Sequence, residues 1–250
     1  MLSPTQRFSN RVKNYVKYRP GYPAAIIDLL KTDCQLTQTS IIADIGSGTG
    51  LLSKLFLDNG NKVLGIEPNQ EMRTAAEILL KDYPNFVSIN ATAEATTLAD
   101  KSVDFVSAGQ AFHWFKAELA WQEFSRILKP QGWIVLVWNE RQSKDPFLAA
   151  YEQMLERHSP EYKTVSHKRI DEQELTALMG PGLKRAMFDN EQVLDYEGVK
   201  GRLLSSSYAP LAGQAGHRAM IKELQEIYEQ YQESGSVRFT YQTKVYYSQV

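Results

Sequence analysis

Three glycines in five residues, Gly46, Gly48 and Gly50, follow the apolar run Ile41-Ile42-Ala43-Asp44-Ile45. The helical face Leu51, Leu52, Leu55 and Phe56 comes directly after them. Glycine permits positive φ and lets a ligand approach the backbone with no Cβ in the way. A strand-to-helix turn this rich in glycine reads as a cofactor loop. Two carboxylates frame it. Asp44 stands two residues before the first glycine, and Glu67 lies 21 residues after it, at the end of the apolar run Val63-Leu64-Gly65-Ile66. A carboxylate at such a strand end can accept hydrogen bonds from ribose hydroxyls.

Glu67 suits any nucleoside cofactor and so does not choose between classes. The dinucleotide fingerprint G-x-G-x-x-G needs its third glycine where this chain has Leu51. Asp44 separates the classes. Its charge repels a pyrophosphate, whereas it attracts the ammonium and sulfonium of S-adenosylmethionine, which has no phosphate. The residues therefore favour that cationic nucleoside.

The elements that must hold these groups alternate in period. Short apolar runs at Ile41–Ile45, Val63–Ile66, Phe86–Ile89, Val103–Ala108 and Trp133–Trp138 read as strands. Met72, Ala75, Ala76, Leu79 and Leu80 repeat at helical spacing, as do Trp121, Phe124, Ser125 and Leu128. Lys129-Pro130-Gln131-Gly132 reads as a turn into the fifth strand. Apolar strands alternating with helices imply a parallel sheet covered on both faces, a doubly wound α/β fold. Further on, helices over about 146–158 and 214–232 and strands over about 186–194 and 237–247 are expected. The two late strands can extend the sheet while the helices form a cap.

The run Asp44–Gly50, then Glu67, Ala93-Glu94 and the Lys129–Gly132 turn resembles the class I S-adenosylmethionine-dependent methyltransferases, over about residues 38–140. Tyr18-Arg19-Pro20-Gly21-Tyr22-Pro23 and Gln110-Ala111-Phe112-His113-Trp114-Phe115 resemble the small-molecule group that includes trans-aconitate methyltransferase-like (type 11) proteins. The resemblance implies a Rossmann-like seven-stranded sheet of order 3-2-1-4-5-7-6, last strand antiparallel, with a helical cap. It implies one domain: an N-terminal helical arm over 1–37, a cofactor core over 38–140, and late strands plus substrate cap over 141–250. Gly46, Ser47 and Gly48 would line the methionine moiety, Asp44 would meet its ammonium, and Tyr18 and Arg19 its carboxylate. Glu67 would take the ribose hydroxyls. Pro68 and Met72 would flank the adenine, and Ala93 and Glu94 would meet its edge, with Gln110 completing the cofactor set. Relatives often carry Asp where this chain has Thr92, so that adenine contact is weakened.

Gln110–Phe115 follows the fourth strand, where the methyl acceptor should lie. No Asn/Asp-Pro-Pro-aromatic motif stands there, which argues against nucleic-acid and protein-amide acceptors. His113 is the single candidate imidazole base, weighed against a packing role. His158, His167 and His217 lack metal-site spacing. A carboxylate acceptor needs no base, and the scarcity of bases tilts the reading toward one. Asn139, Arg141 and Ser205-Ser206-Ser207-Tyr208 offer polar contacts near the cap, although ordinary loop roles outweigh this.

Composition agrees. With 28 basic and 29 acidic residues the net charge is −1, unlike a dedicated duplex-binding module. The basic N-terminal run Arg7, Arg11, Lys13, Lys17 and Arg19 reads as a solvated helix face or the arm. One cysteine, Cys34, suits a reducing compartment, and no secretion signal or membrane span is visible, so a cytoplasmic location is expected. The expected partner is a small-molecule acceptor, without nucleic acid or membrane insertion. Oligomeric state stays open, with a monomer slightly favoured. Two other functions stay open: a dinucleotide-dependent oxidoreductase, and a non-catalytic S-adenosylmethionine-binding protein.

Overall fold

The computed structural model describes residues 11–143, 145–159, 162 and 172–250. Two helices, α1 (Val12–Tyr18) and α2 (Ala25–Cys34), precede the sheet. The core then alternates: β1 (Ile41–Ile45), α3 (Leu51–Asp58), β2 (Lys62–Ile66), α4 (Gln70–Leu79), β3 (Phe86–Ile89), β4 (Val103–Gly109), α5 (Ala117–Ile127) and β5 (Leu128–Arg141). The remainder comprises α6 (Pro146–His158), α7 (Glu172–Met179), β6 (Lys184–Leu194), α8 (Tyr196–Leu204), α9 (His217–Tyr231) and β7 (Val237–Gln249).

The strands form one sheet of order β3-β2-β1-β4-β5-β7-β6. β1 to β5 pair in parallel, and β7 runs antiparallel to both β5 and β6. This is the seven-stranded topology that the resemblance implied. Alternation of side chains sends Ile42, Val63, Phe105 and Val135 to one face, with α2 and α3. Ala43, Ile45, Val106 and Ile134 go to the other, under α5. Phe56 and Phe124 are fully buried on opposite faces, and trimming either to Ala costs about 3–5 kcal/mol.

The fifth strand differs from the expected turn-then-strand. β5 already pairs with β4 from Leu128, and Lys129–Gly132 forms an irregularity inside it, with Gln131 at φ +65°. The pairing register shifts between Val103 and Phe105, so an inserted kink replaces a free turn.

A third apolar cluster binds the cap to the sheet's far end. α6 packs on α9, and Phe147 and Tyr151 each meet Phe239 edge to face, with centroids 5.1–5.2 Å apart. α1 contacts both α8 of this cap and α4 of the core, and so crosses between them. Among the described residues no helix is long and apolar enough to cross a membrane.

Candidate functional site

The strand order reverses direction at β1, whose neighbours β2 and β4 are followed by connections to opposite sides. Ligands bind such sheets beyond the carboxyl ends of the strands at this switch point. The glycine loop sits there. Gly46 adopts φ +65°, and a Cβ on it would lie 2.7 Å from the Ala111 Cβ and 3.1 Å from the Phe115 ring. A Cβ on Gly48, at φ +57°, would approach nothing closer than the Gly46 carbonyl at 4.0 Å. One glycine is packed, the other bare toward space.

That space is a crevice of about 160 Å³. Gly46, Gly48 and Glu67 form its polar side, Pro68, Met72 and Ala93 an apolar side, and Gln110, Trp114, Phe115 and Tyr15 its far end. A cavity of about 30 Å³ continues beneath the loop, among Asp44, Ser47, Gly48, Thr49 and Tyr22. Neither wall contains a lysine or arginine among the described residues.

Asp44 is fully buried and accepts hydrogen bonds from Ser53 Oγ at 2.6 Å and Ser107 Oγ at 3.0 Å. Burial pushes its carboxyl up to about 6, against the pull of the two serines, with Glu67 adding to the rise. Glu67 Oε2 accepts from the Gly48 N–H at 3.0 Å, and Oε1 from the Asn69 N–H at 2.8 Å. Burial raises Glu67 too, while those two amides and Arg73 oppose the rise. Asn69 caps α4 by accepting from the Met72 N–H at 2.9 Å, which sets Met72 in the crevice wall. Met72 is also 4% exposed, so it belongs to the core and the wall together. Gln110, at φ +55°, donates Nε2 to the Asn139 carbonyl at 2.9 Å.

Four expected positions differ. Tyr18 packs against α8, where a Cβ on Gly201 would fall 2.1 Å from its ring. It does not line the crevice. Tyr15, one turn earlier, does. Arg19 donates Nη2 to the Ser205 carbonyl at 3.0 Å and lies 4.8 Å over the Tyr15 ring, behind the wall. Glu94 turns to the start of α5, accepting from the Lys116 N–H at 2.9 Å, because that terminus has no side-chain cap of its own. His113 occupies a single helical turn, Phe112–Trp114, with its ring 4.7 Å from Trp114 and outside the crevice wall. Arg7 and His167 lie outside the described residues, and among the described residues no cluster of three metal-ligating side chains occurs. Cys34 is buried and free, with burial raising its thiol to about 12.

The sequence reading missed Tyr15, Tyr22, Asn69 and Gly109. Asn69, at a helix start directly after the strand-end Glu67-Pro68, carried a capping signal. The others face the crevice only through tertiary packing.

Residues 43–136 match the methyltransferase domain family. An uncharacterized methyltransferase of Schizosaccharomyces pombe is 34% identical over 151 residues, 60% of this chain and 59% of that protein. One of Mycobacterium bovis is 35% identical over 137 residues, 55% of this chain and 54% of that protein. The chain thus spans under three-fifths of the length of these curated relatives. A methyltransferase of Geobacter sulfurreducens, solved with S-adenosyl-L-homocysteine, shares the fold with TM-score 0.58, 16% identity and full coverage of both chains. The strand order, the glycine loop with its two carboxylates, and the matched segment agree: this chain carries a class I S-adenosylmethionine-dependent methyltransferase domain.

Proposed function

We propose that the protein transfers the methyl group of S-adenosylmethionine to a small-molecule acceptor, and that the accepting atom is a carboxylate oxygen. The observation that carries the methyl-donor part of this reading is a crevice framed by Asp44 and Glu67 with no basic side chain in its described wall. Such a site repels a diphosphate and attracts a cation.

The methyl donor supplies an electrophilic carbon with a good leaving group. The chain's own residues supply binding and alignment. Gly46 and Gly48 leave the backbone open to the methionine portion, and Asp44 provides the charge for its ammonium. Glu67 keeps lone pairs for ribose hydroxyls, while Pro68, Met72 and Ala93 give flat apolar contact to the base. Phe115 and Trp114 enclose the acceptor end, and exclusion of water there favours a step in which anion and cation neutralise. Holding acceptor and methyl in line contributes several kcal/mol, on the order of 7–11 at best. An anionic oxygen needs no base.

Calorimetric titration with S-adenosylhomocysteine and with NAD, followed by a methyl-transfer assay over acids, phenols and amines, tests the proposal. Binding of the first ligand and methyl-ester formation with an acid are expected. Binding of NAD alone, or turnover only with amines, sinks it.

A further inference from the structure

The small cavity beneath the glycine loop contains a hydroxyl with nothing to bind. Thr49 is 1% exposed, and its Oγ1 is buried with no hydrogen-bond partner among the described residues. A hydroxyl withdrawn from water and left unpaired is costly, so a ligand that completes it gains affinity by relieving that cost. Thr49 lines the cavity of about 30 Å³ together with Asp44 and Tyr22, which is room for a small polar group. The Tyr22 hydroxyl lies against the end of β4, where a Cβ on Gly109 would fall 2.6 Å from its oxygen. Burial, then Tyr15 and Asp44, raise the Tyr22 phenol well above its ordinary value, with Arg19 opposing. Tyr22 therefore stays protonated and can donate.

α3 starts at the same place. Its N-cap, Gly50 at φ +83°, offers no side-chain cap, and its first two residues, Leu51 and Leu52, line the cavity. The open amides of a helix start favour an anion. Asp44, in the same lining, accepts from two serines and keeps lone pairs for a cation. Anion donors and a cation acceptor in one cavity suit a zwitterion whose two charges hang from one carbon. The α-amino-acid end of the methyl donor is such a group. Its carboxylate was expected at Tyr18 and Arg19. Tyr18 packs against α8 instead, and Arg19 is held at the Ser205 carbonyl behind Tyr15.

We propose that the Thr49 and Tyr22 hydroxyls, with the first turn of α3, bind the α-carboxylate of the methyl donor in place of an arginine. This rests on the methyl-transfer reading above. Neutral donors hold the carboxylate without adding a positive charge beside the sulfonium. The amino-acid end is then orientated from both sides, carboxylate to α3 and ammonium to Asp44. That orientation fixes the chain bearing the sulfur, and with it the direction in which the methyl points. A nucleoside lacking the carboxylate leaves both hydroxyls unmatched, so the site discriminates against it.

Calorimetric titration of the full chain tests this with three probes. They are S-adenosylhomocysteine, adenosylthiopropylamine (the same molecule without its carboxylate) and methylthioadenosine (without the amino-acid end). The native protein should bind S-adenosylhomocysteine about tenfold or more tightly than adenosylthiopropylamine. Thr49→Val, nearly equal in size, should erase that preference, weakening S-adenosylhomocysteine about tenfold and leaving the other two within about twofold. Thr49→Ser should stay within about threefold of native affinity. Tyr22→Phe should weaken S-adenosylhomocysteine about fivefold or more and again spare the other probes. Because the Thr49 hydroxyl has no partner before the ligand arrives, Thr49→Val should melt at the native temperature or above. Should Thr49→Val fail to fold, Tyr22→Phe decides alone. The proposal is overturned if folded Thr49→Val binds S-adenosylhomocysteine unchanged, or if all three probes weaken equally. A native protein that binds none of the three would instead remove the methyl-transfer reading itself.

Discussion

Glu67 Oε2 accepts the Gly48 backbone N–H at 3.0 Å, so the tip of β2 holds the glycine loop of β1 from across the crevice. Its other oxygen holds the Asn69 N–H, which starts α4. One carboxylate thus joins the loop, the strand end and the helix that lines the apolar side. A carboxylate offers about four lone-pair sites, and two remain for a ligand.

Glu67→Ala should therefore act twice. Loss of a charge-assisted contact weakens S-adenosylhomocysteine binding about tenfold or more, and two backbone amides lose their acceptor, lowering the melting temperature by several degrees. Titration calorimetry and a thermal melt measure both. An unchanged Kd would take Glu67 out of the site.

Asp44 couples binding to pH. Its carboxyl is raised to about 6 from 3.8, so between those values the folded protein holds a proton that the unfolded chain has shed. The residue's contribution to stability is then greatest below about 4 and declines as pH rises through 6. Above that, the buried charge costs on the order of 1–3 kcal/mol. Asp44→Asn should raise the melting temperature at pH 7.5 and change it little at pH 4. The ammonium of the ligand favours the ionised form, so affinity for S-adenosylhomocysteine should fall about five- to tenfold from pH 7.5 to pH 5 in the native protein. The same fall in Asp44→Asn would assign the pH dependence to another group.

Periodicity and the glycine-carboxylate spacing made the sheet and half the crevice legible, because both are written in residues close together along the chain. Asp44, Gly46 and Glu67 stand at strand ends, and strand ends can be read locally. Tyr18 and Glu94 could not be placed that way. Tyr18 settles against α8 because Gly201, far away in sequence, leaves room for its ring. Glu94 goes to α5 because Lys116 provides no cap. The cavity beneath the loop was legible only as the run Asp44–Gly50, and the fold brings Tyr22 and Gly109 to it.

The two crevice glycines should respond differently to one methyl group. Gly46→Ala meets both a left-handed φ and the Ala111 Cβ at 2.7 Å, and neither the backbone nor that short side chain can give way cheaply. A loss of about 2–4 kcal/mol is expected by denaturant titration. Gly48→Ala carries only the conformational strain, about 1–2 kcal/mol, and stays folded. Its Cβ occupies the ligand's side of the loop, so S-adenosylhomocysteine should bind at least tenfold more weakly. Equal stability losses in the two variants would contradict this division.

His113 provides the last test, because it separates an acid acceptor from an alcohol or carbon acceptor. A carboxylate has no proton to lose at neutral pH, whereas an alcohol or carbon acid requires a base, and removing a general base typically costs 10²–10⁴-fold in rate. His113 lies outside the crevice wall beside Trp114. With an acid as acceptor, His113→Ala should keep kcat within about threefold and leave the pH profile of kcat/KM unchanged, including the acidic limb expected from Asp44. A drop of about a hundredfold, with loss of a limb near the imidazole range, would make His113 the base and turn the acceptor atom into one that must first be deprotonated.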